Sequence, residues 1–152
     1  MGINKYYGGK NRYAPKMIPI LEKYSNGHKT YIEPFCGWCS VLSRVVDKDI
    51  FERYIASDAN ESIVMFLHET SRELFTPPED VTLDMYLQLK NENNPGSLQA
   101  FVGICYSFEG EWFNGYAVAV RGNGVPGLEG GLSIRRMTPM VVRWYIFDVR
   151  VF

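Results

Sequence analysis

Lys29-Thr30-Tyr31-Ile32-Glu33-Pro34-Phe35-Cys36-Gly37 joins a β-prone run to a glycine turn. Thr30, Tyr31 and Ile32 are β-branched or aromatic and favour extended backbone, so a strand is expected over Lys29 to Phe35. Cys36-Gly37-Trp38-Cys39 then reads as a tight turn, and Ser40 to Val46 as a helix. Upstream, Arg12 to Tyr24 places Tyr13, Met17, Ile20, Leu21 and Tyr24 at helical spacing, with Pro15 suited to a first turn. Ser25-Asn26-Gly27 ends that helix. Downstream, Arg53 to Ala56 is a second short strand. Asn60 is placed to cap a helix over Glu61 to Leu74, with Ile63, Val64, Phe66 and Leu67 facing inward. Helix, strand, helix, strand, helix is the order of an α/β fold with a parallel sheet and crossovers.

The second half has another texture. Thr76-Pro77-Pro78 breaks the chain, and Leu83 to Leu89 and Ser97 to Tyr106 are short helices separated by the polar run Asn91 to Gly96. Phe108 to Tyr116 is aromatic and glycine-rich. Residues 122–131 are richer still in glycine and contain Pro126, a composition expected in a loop. Val141 to Phe152 is apolar and strand-like. The sequence shows no internal repeat.

Composition narrows the class. The 152 residues, 46% hydrophobic and 22% charged, make roughly one ordinary domain with enough apolar mass for a core. Three cysteines do not make a disulfide scaffold. Apolar runs such as Met140 to Val142 fall far short of the ~20 residues that span a bilayer, and Met1 to Tyr6 has no apolar core of a signal peptide. A cytoplasmic protein, of a bacterium or a virus-infected cell, is the expectation. The net charge of -1 hides a pattern: residues 1–53 carry nine Lys/Arg against five Asp/Glu, residues 54–111 two against ten, and residues 112–152 five against two. Lys5, Lys10, Arg12 and Lys16 precede the first acid. Such basic ends suit an anionic partner, although nucleic-acid binders are commonly more basic overall.

The chemistry-bearing residues cluster around the opening stretch. In open α/β sheets, ligands bind beyond the carboxyl ends of the strands, where Glu33-Pro34-Phe35-Cys36-Gly37 falls. Gly37 allows a ligand close to the backbone, and Glu33 offers a carboxylate to a polar or cationic group. Asp58 follows the second strand about twenty residues on, the spacing of a carboxylate that accepts both ribose hydroxyls. The same residues also read as a tight turn and an exposed capping Asp. Cys36-x-x-Cys39 at a helix start offers a thiol-disulfide oxidoreductase as a rival. That reading leaves Glu33, Asp58 and Tyr6-Tyr7-Gly8-Gly9-Lys10 without a role. Zinc is weaker, because His28, His68 and Cys105 have no paired spacing.

Taken in order, four stretches resemble the adenine-specific DNA methyltransferases of the Dam type, in their phage and viral form. Tyr6-Tyr7-Gly8-Gly9-Lys10 is similar to that family's aromatic-x-Gly-Gly-Lys motif, and Glu33 to Gly37 with Ser40-Val41 to its cofactor turn. Ser57-Asp58-Ala59-Asn60 looks like its Asp-x-Asn ribose motif, and Ser107 to Tyr116 like an aromatic segment of its viral members. Trp38 stands where a small residue is usual and Cys39 where glycine is common, so both are expected to narrow the pocket. The resemblance implies a Rossmann-like S-adenosylmethionine-dependent methyltransferase fold, truncated, with a mostly helical and loop recognition insertion. It implies S-adenosyl-L-methionine as cofactor, held by Tyr6, Lys10, Glu33, Pro34, Phe35, Gly37 and Asp58, and adenine-containing duplex DNA as partner. Residues 1–75 would be the cofactor-binding region and 76–140 the DNA-recognition region, with Arg121, Arg135 and Arg136 as phosphate contacts. Residues 141–152 would begin the returning strand.

The family's catalytic Asp-Pro-Pro-Tyr does not occur in the sequence; Thr76-Pro77-Pro78-Glu79 differs from it in type and position. Without a group that orients the adenine amino nitrogen, much of the rate of methyl transfer is forfeited. The expectation is a methyltransferase homologue with no catalytic residue of its own, inactive alone, or completed by a second chain. The alternative is a non-catalytic cofactor- or DNA-binding module.

Overall fold

β1 (Thr30–Glu33) and β2 (Arg53–Ser57) lie side by side in parallel, with Thr30 opposite Arg53 and Glu33 opposite Ala56. β3 (Asp148–Arg150) pairs in parallel with the other edge of β2, giving the order β1-β2-β3. The computed structural model describes residues 6–117 and 148–150. The two expected strands are therefore present, the first trimmed at both ends and the second longer by Ser57. The glycine-rich stretch 122–131 and the expected phosphate contacts Arg121, Arg135 and Arg136 lie outside the described residues, as does most of the apolar tail.

α1 (Ala14–Tyr24) starts later than the apolar spacing suggests, because Lys10–Arg12 first wind as a 3-10 turn. α2 (Leu42–Asp47) also starts late. The residues before it are used in a turn, where the Cys39 amide donates to the Cys36 carbonyl at 2.8 Å. α3 (Glu61–Ser71) opens as expected, with the Asn60 side chain accepting from the Ile63 amide at 3.2 Å. It closes before Leu74. Glu73 turns left-handed (φ 59°), and the Leu74 and Glu73 amides return to the Glu69 and Thr70 carbonyls, the hydrogen bonding of a Schellman motif with Glu in place of the usual Gly. α4 (Leu83–Asn91) is capped by the Thr82 hydroxyl, and α5 (Ser97–Cys105) packs on α3.

The larger core joins Trp38, Leu42, Ala56, Ile63, Phe66 and Leu67 with Val81, Tyr86, Phe101, Val102 and Phe113. The inward residues expected on α3 are thus buried. Phe66 stacks on Trp38 (ring centroids 5.1 Å) and meets Phe75 and Phe101. A smaller cluster packs Ala14 and Ile18 of α1 against Val41, Val45 and Phe51, and Tyr31 and Tyr54 abut both clusters. A buried polar tie supports the helical layer. The Ser62 hydroxyl donates to Gln99 Oε1 at 2.5 Å, and Gln99 Nε2 donates to the Leu89 and Glu92 carbonyls. Buried amides need such partners, and Gln99 finds them at the end of α4. Among the described residues, no helix is long and apolar enough to cross a membrane.

Candidate functional site

Parallel pairing brings the carboxyl ends of β1 and β2 together, and with them the loops that follow. Hydrogen bonds join these loops along their length. The Ser57 hydroxyl donates to the Pro34 carbonyl at 3.0 Å, the Cys36 amide to the Ser57 carbonyl at 2.9 Å, and the Gly37 amide to Asp58 Oδ2 at 2.8 Å. Asp58 Oδ1 accepts from the Asn60 amide at 3.0 Å. Each carboxylate oxygen therefore holds one backbone N–H and keeps lone-pair capacity for another donor. The turn after β1 and the acid after β2 form one neighbourhood.

The N-terminal arm completes it. Lys10 Nζ donates to the Phe35 carbonyl at 2.7 Å and stands 3.8 Å from Glu33 Oε1. The Tyr6 ring lies over Gly37, where an added Cβ would come within 2.9 Å of Tyr6 Cε1, and it stacks on Trp38 at 6.0 Å between centroids. Tyr6, Lys10, Pro34, Phe35, Gly37 and Asp58 are thereby gathered from three segments. Phe35 is 76% exposed. The Tyr7 amide reaches the Gly110 carbonyl at 3.2 Å, so the aromatic segment, closed by the Ser107–Tyr116 bridge, borders the arm.

Glu33, expected to offer its carboxylate to a polar or cationic group, is engaged within the protein. It is only 7% exposed. Its oxygens meet Lys10 and the Tyr31 hydroxyl (3.2 Å), and the Leu42 amide also hydrogen-bonds it. Burial raises its carboxyl above the ordinary 4.5, only partly offset by Lys10 and those hydrogen bonds. A carboxyl raised in the folded state binds its proton more readily there. Its contribution to stability is therefore full in acid and is lost as pH rises from 4.5 through the elevated folded value. Glu33→Gln should flatten that decline. Denaturant unfolding of both proteins from acid to neutral pH measures it, and parallel pH profiles would refute the assignment.

Trp38 and Cys39, expected to narrow the pocket, are both buried. Trp38 is buried between Tyr6 and Phe66. Cys39 is 1% exposed and adopts φ 52°, the left-handed geometry that suits glycine, so the strain falls on the backbone. The Cys36 and Cys39 thiols are free. A hydrogen bond with Cys36, followed by burial, holds the Cys39 thiol well above its ordinary value, the opposite of the lowered value that makes a redox thiolate reactive. Among the described residues, no three His, Cys, Asp or Glu side chains come together as a metal site.

Gly37 has φ 48° beneath the Tyr6 ring. Gly37→Ala should cost about 1–2 kcal/mol through left-handed strain and lift Tyr6 off Trp38. Chemical denaturation and tryptophan emission report the two effects, and an unchanged spectrum with parental stability would count against this packing. Ser57 could have been read from its place beside Asp58. Arg44 and Asn11, which also border the site, carry no local signal because their contact spans 33 residues.

A family model described as D12 class N6 adenine-specific DNA methyltransferase matches residues 6–102. No curated protein and no solved structure matches the chain.

Proposed function

Because the chain belongs to the D12 class N6 adenine-specific DNA methyltransferase family, we propose that its joined strand-end loops bind S-adenosyl-L-methionine for methylation of the adenine amino nitrogen in DNA. Methyltransferases of this class are S-adenosylmethionine-dependent. The observation that carries the proposal is the 2.8 Å bond from the Gly37 amide to Asp58, which makes one pocket wall of two loops. The donor set fits the cofactor: Asp58 retains acceptor capacity for ribose hydroxyls, and Tyr6 presents an aromatic face that would suit a cationic sulfonium.

In this reading Tyr6, Lys10, Pro34, Phe35, Gly37 and Asp58 line the pocket, and Glu33 acts from beneath by holding Lys10 and the turn. The cofactor, when bound, supplies an electrophilic methyl group. Asp58 fixes the ribose, and the Tyr6–Trp38 stack walls off one side from water. The parallel sheet and its helices suit a Rossmann-like frame. Residues 1–75 would serve as the cofactor-binding region and 76–140 as the DNA-recognition region, while α5 shares the core with the cofactor turn. The sequence holds no Asp-Pro-Pro-Tyr, so these residues alone are expected to bind cofactor without transferring its methyl group; a second chain bearing that motif would complete the reaction.

Calorimetry with S-adenosylmethionine and tritium transfer to an adenine-containing duplex test the two halves of this proposal. Saturable binding without transfer is expected. No binding by the folded chain would overturn the cofactor site, and transfer by the chain alone would overturn the inactivity.

A further inference from the structure

We propose that Arg44 is a positioning residue that docks the N-terminal arm, residues 6–12, onto the cofactor turn. Its guanidinium spans two acceptors from different segments: Nη1 donates to the Ser40 carbonyl at 2.7 Å and Nη2 to Asn11 Oδ1 at 2.5 Å. Ser40 belongs to the turn that carries Gly37. Asn11 belongs to the 3-10 turn immediately after Tyr6 to Gly9. Arg44, 33 residues from Asn11, therefore ties the segment bearing Tyr6 and Lys10 to the segment bearing Gly37.

The arm depends on such ties. None of residues 6–12 is buried, whereas Ala14 and Ile18, directly after it, are anchored in the smaller core. The arm is held by the Tyr6 stack, by Lys10 on the Phe35 carbonyl, by the Tyr7 amide on the Gly110 carbonyl, and by Arg44 on Asn11. Segments with few buried contacts open locally at small free-energy cost. The Arg44 fork, with one prong fixed on the Ser40 carbonyl of the turn before its own helix, presents the other pre-set for Asn11. A ligand that needs the docked arm binds more weakly in proportion to the fraction of molecules in which it is docked. Removing one charge-assisted hydrogen bond is worth about a factor of ten or more.

This inference rests on reading the arm as one wall of the S-adenosylmethionine pocket, and the test separates the two. Amide hydrogen exchange of residues 6–13 and calorimetry with S-adenosylmethionine are compared for the parent chain, Arg44→Met, Arg44→Lys, Asn11→Ala and the Arg44→Met/Asn11→Ala double variant. Arg44→Met should speed exchange in the arm about tenfold and raise the dissociation constant by the factor by which the docked fraction falls. Exchange in α3 and α5 should not change, and saturating S-adenosylmethionine should restore arm protection. Asn11→Ala should do the same with no further loss in the double variant. Arg44→Lys, whose single ammonium satisfies one acceptor, should fall between. Parental arm exchange in Arg44→Met, or faster exchange throughout the chain, overturns the positioning role. Faster arm exchange with no cofactor binding by either protein supports docking by Arg44 and overturns the cofactor reading instead.

Discussion

Asp58→Ala is expected to lower the affinity for S-adenosylmethionine by about a hundredfold or more. The substitution removes the proposed ribose acceptor, and hydrogen bonds to a charged group are worth about 1.5–3 kcal/mol each. It also frees the Gly37 and Asn60 amides from their carboxylate partners, loosening the turn that faces Tyr6. Asp58→Asn keeps one carbonyl oxygen for a backbone amide but trades the other for a donor, so an intermediate loss of about tenfold is expected. Calorimetry on the three folded proteins gives the answer. Asp58→Ala binding with parental affinity would show that the ribose is held elsewhere.

Phe66→Ala should have the largest effect on stability, about 3–5 kcal/mol for a buried aromatic truncation. Against a total of about 5–15 kcal/mol for a typical domain, that is enough to leave a substantial unfolded population. Phe66 is 3% exposed and touches Trp38, Phe75 and Phe101, so its ring joins the turn, α3 and α5. The damage should reach the site, because Trp38 loses its backing and Tyr6 stacks on Trp38. Phe66→Leu, which keeps most of the apolar volume, should recover much of the loss. Urea unfolding midpoints measure both variants. A shift for Phe66→Ala no larger than that for Phe66→Leu would contradict the central place given to this ring.

The readings that succeeded rest on short-range physics. Asn60 before an apolar run is a helix cap wherever it occurs, and Ile63, Val64, Phe66 and Leu67 repeat at the spacing that buries one face. Element ends were less legible. Leu74 extends the apolar pattern of α3, yet Glu73 takes the left-handed position and the helix stops. Ser40 looks helical, yet the turn from Cys36 consumes it.

Local sequence pattern suffices for two short strands alternating with helices, for a glycine turn after the first and an acid after the second, and for the distinctive arm of Tyr6 and Lys10. Those are properties of neighbouring residues, and they bring the family with them. Tertiary structure decided what the side chains do. It buried Glu33 against Lys10, Tyr31 and Leu42, turned Trp38 into the core, and set Arg44 on Asn11. A residue's own neighbours along the chain do not encode these outcomes, because each depends on which distant segment the parallel register and the packed helices carry to its side.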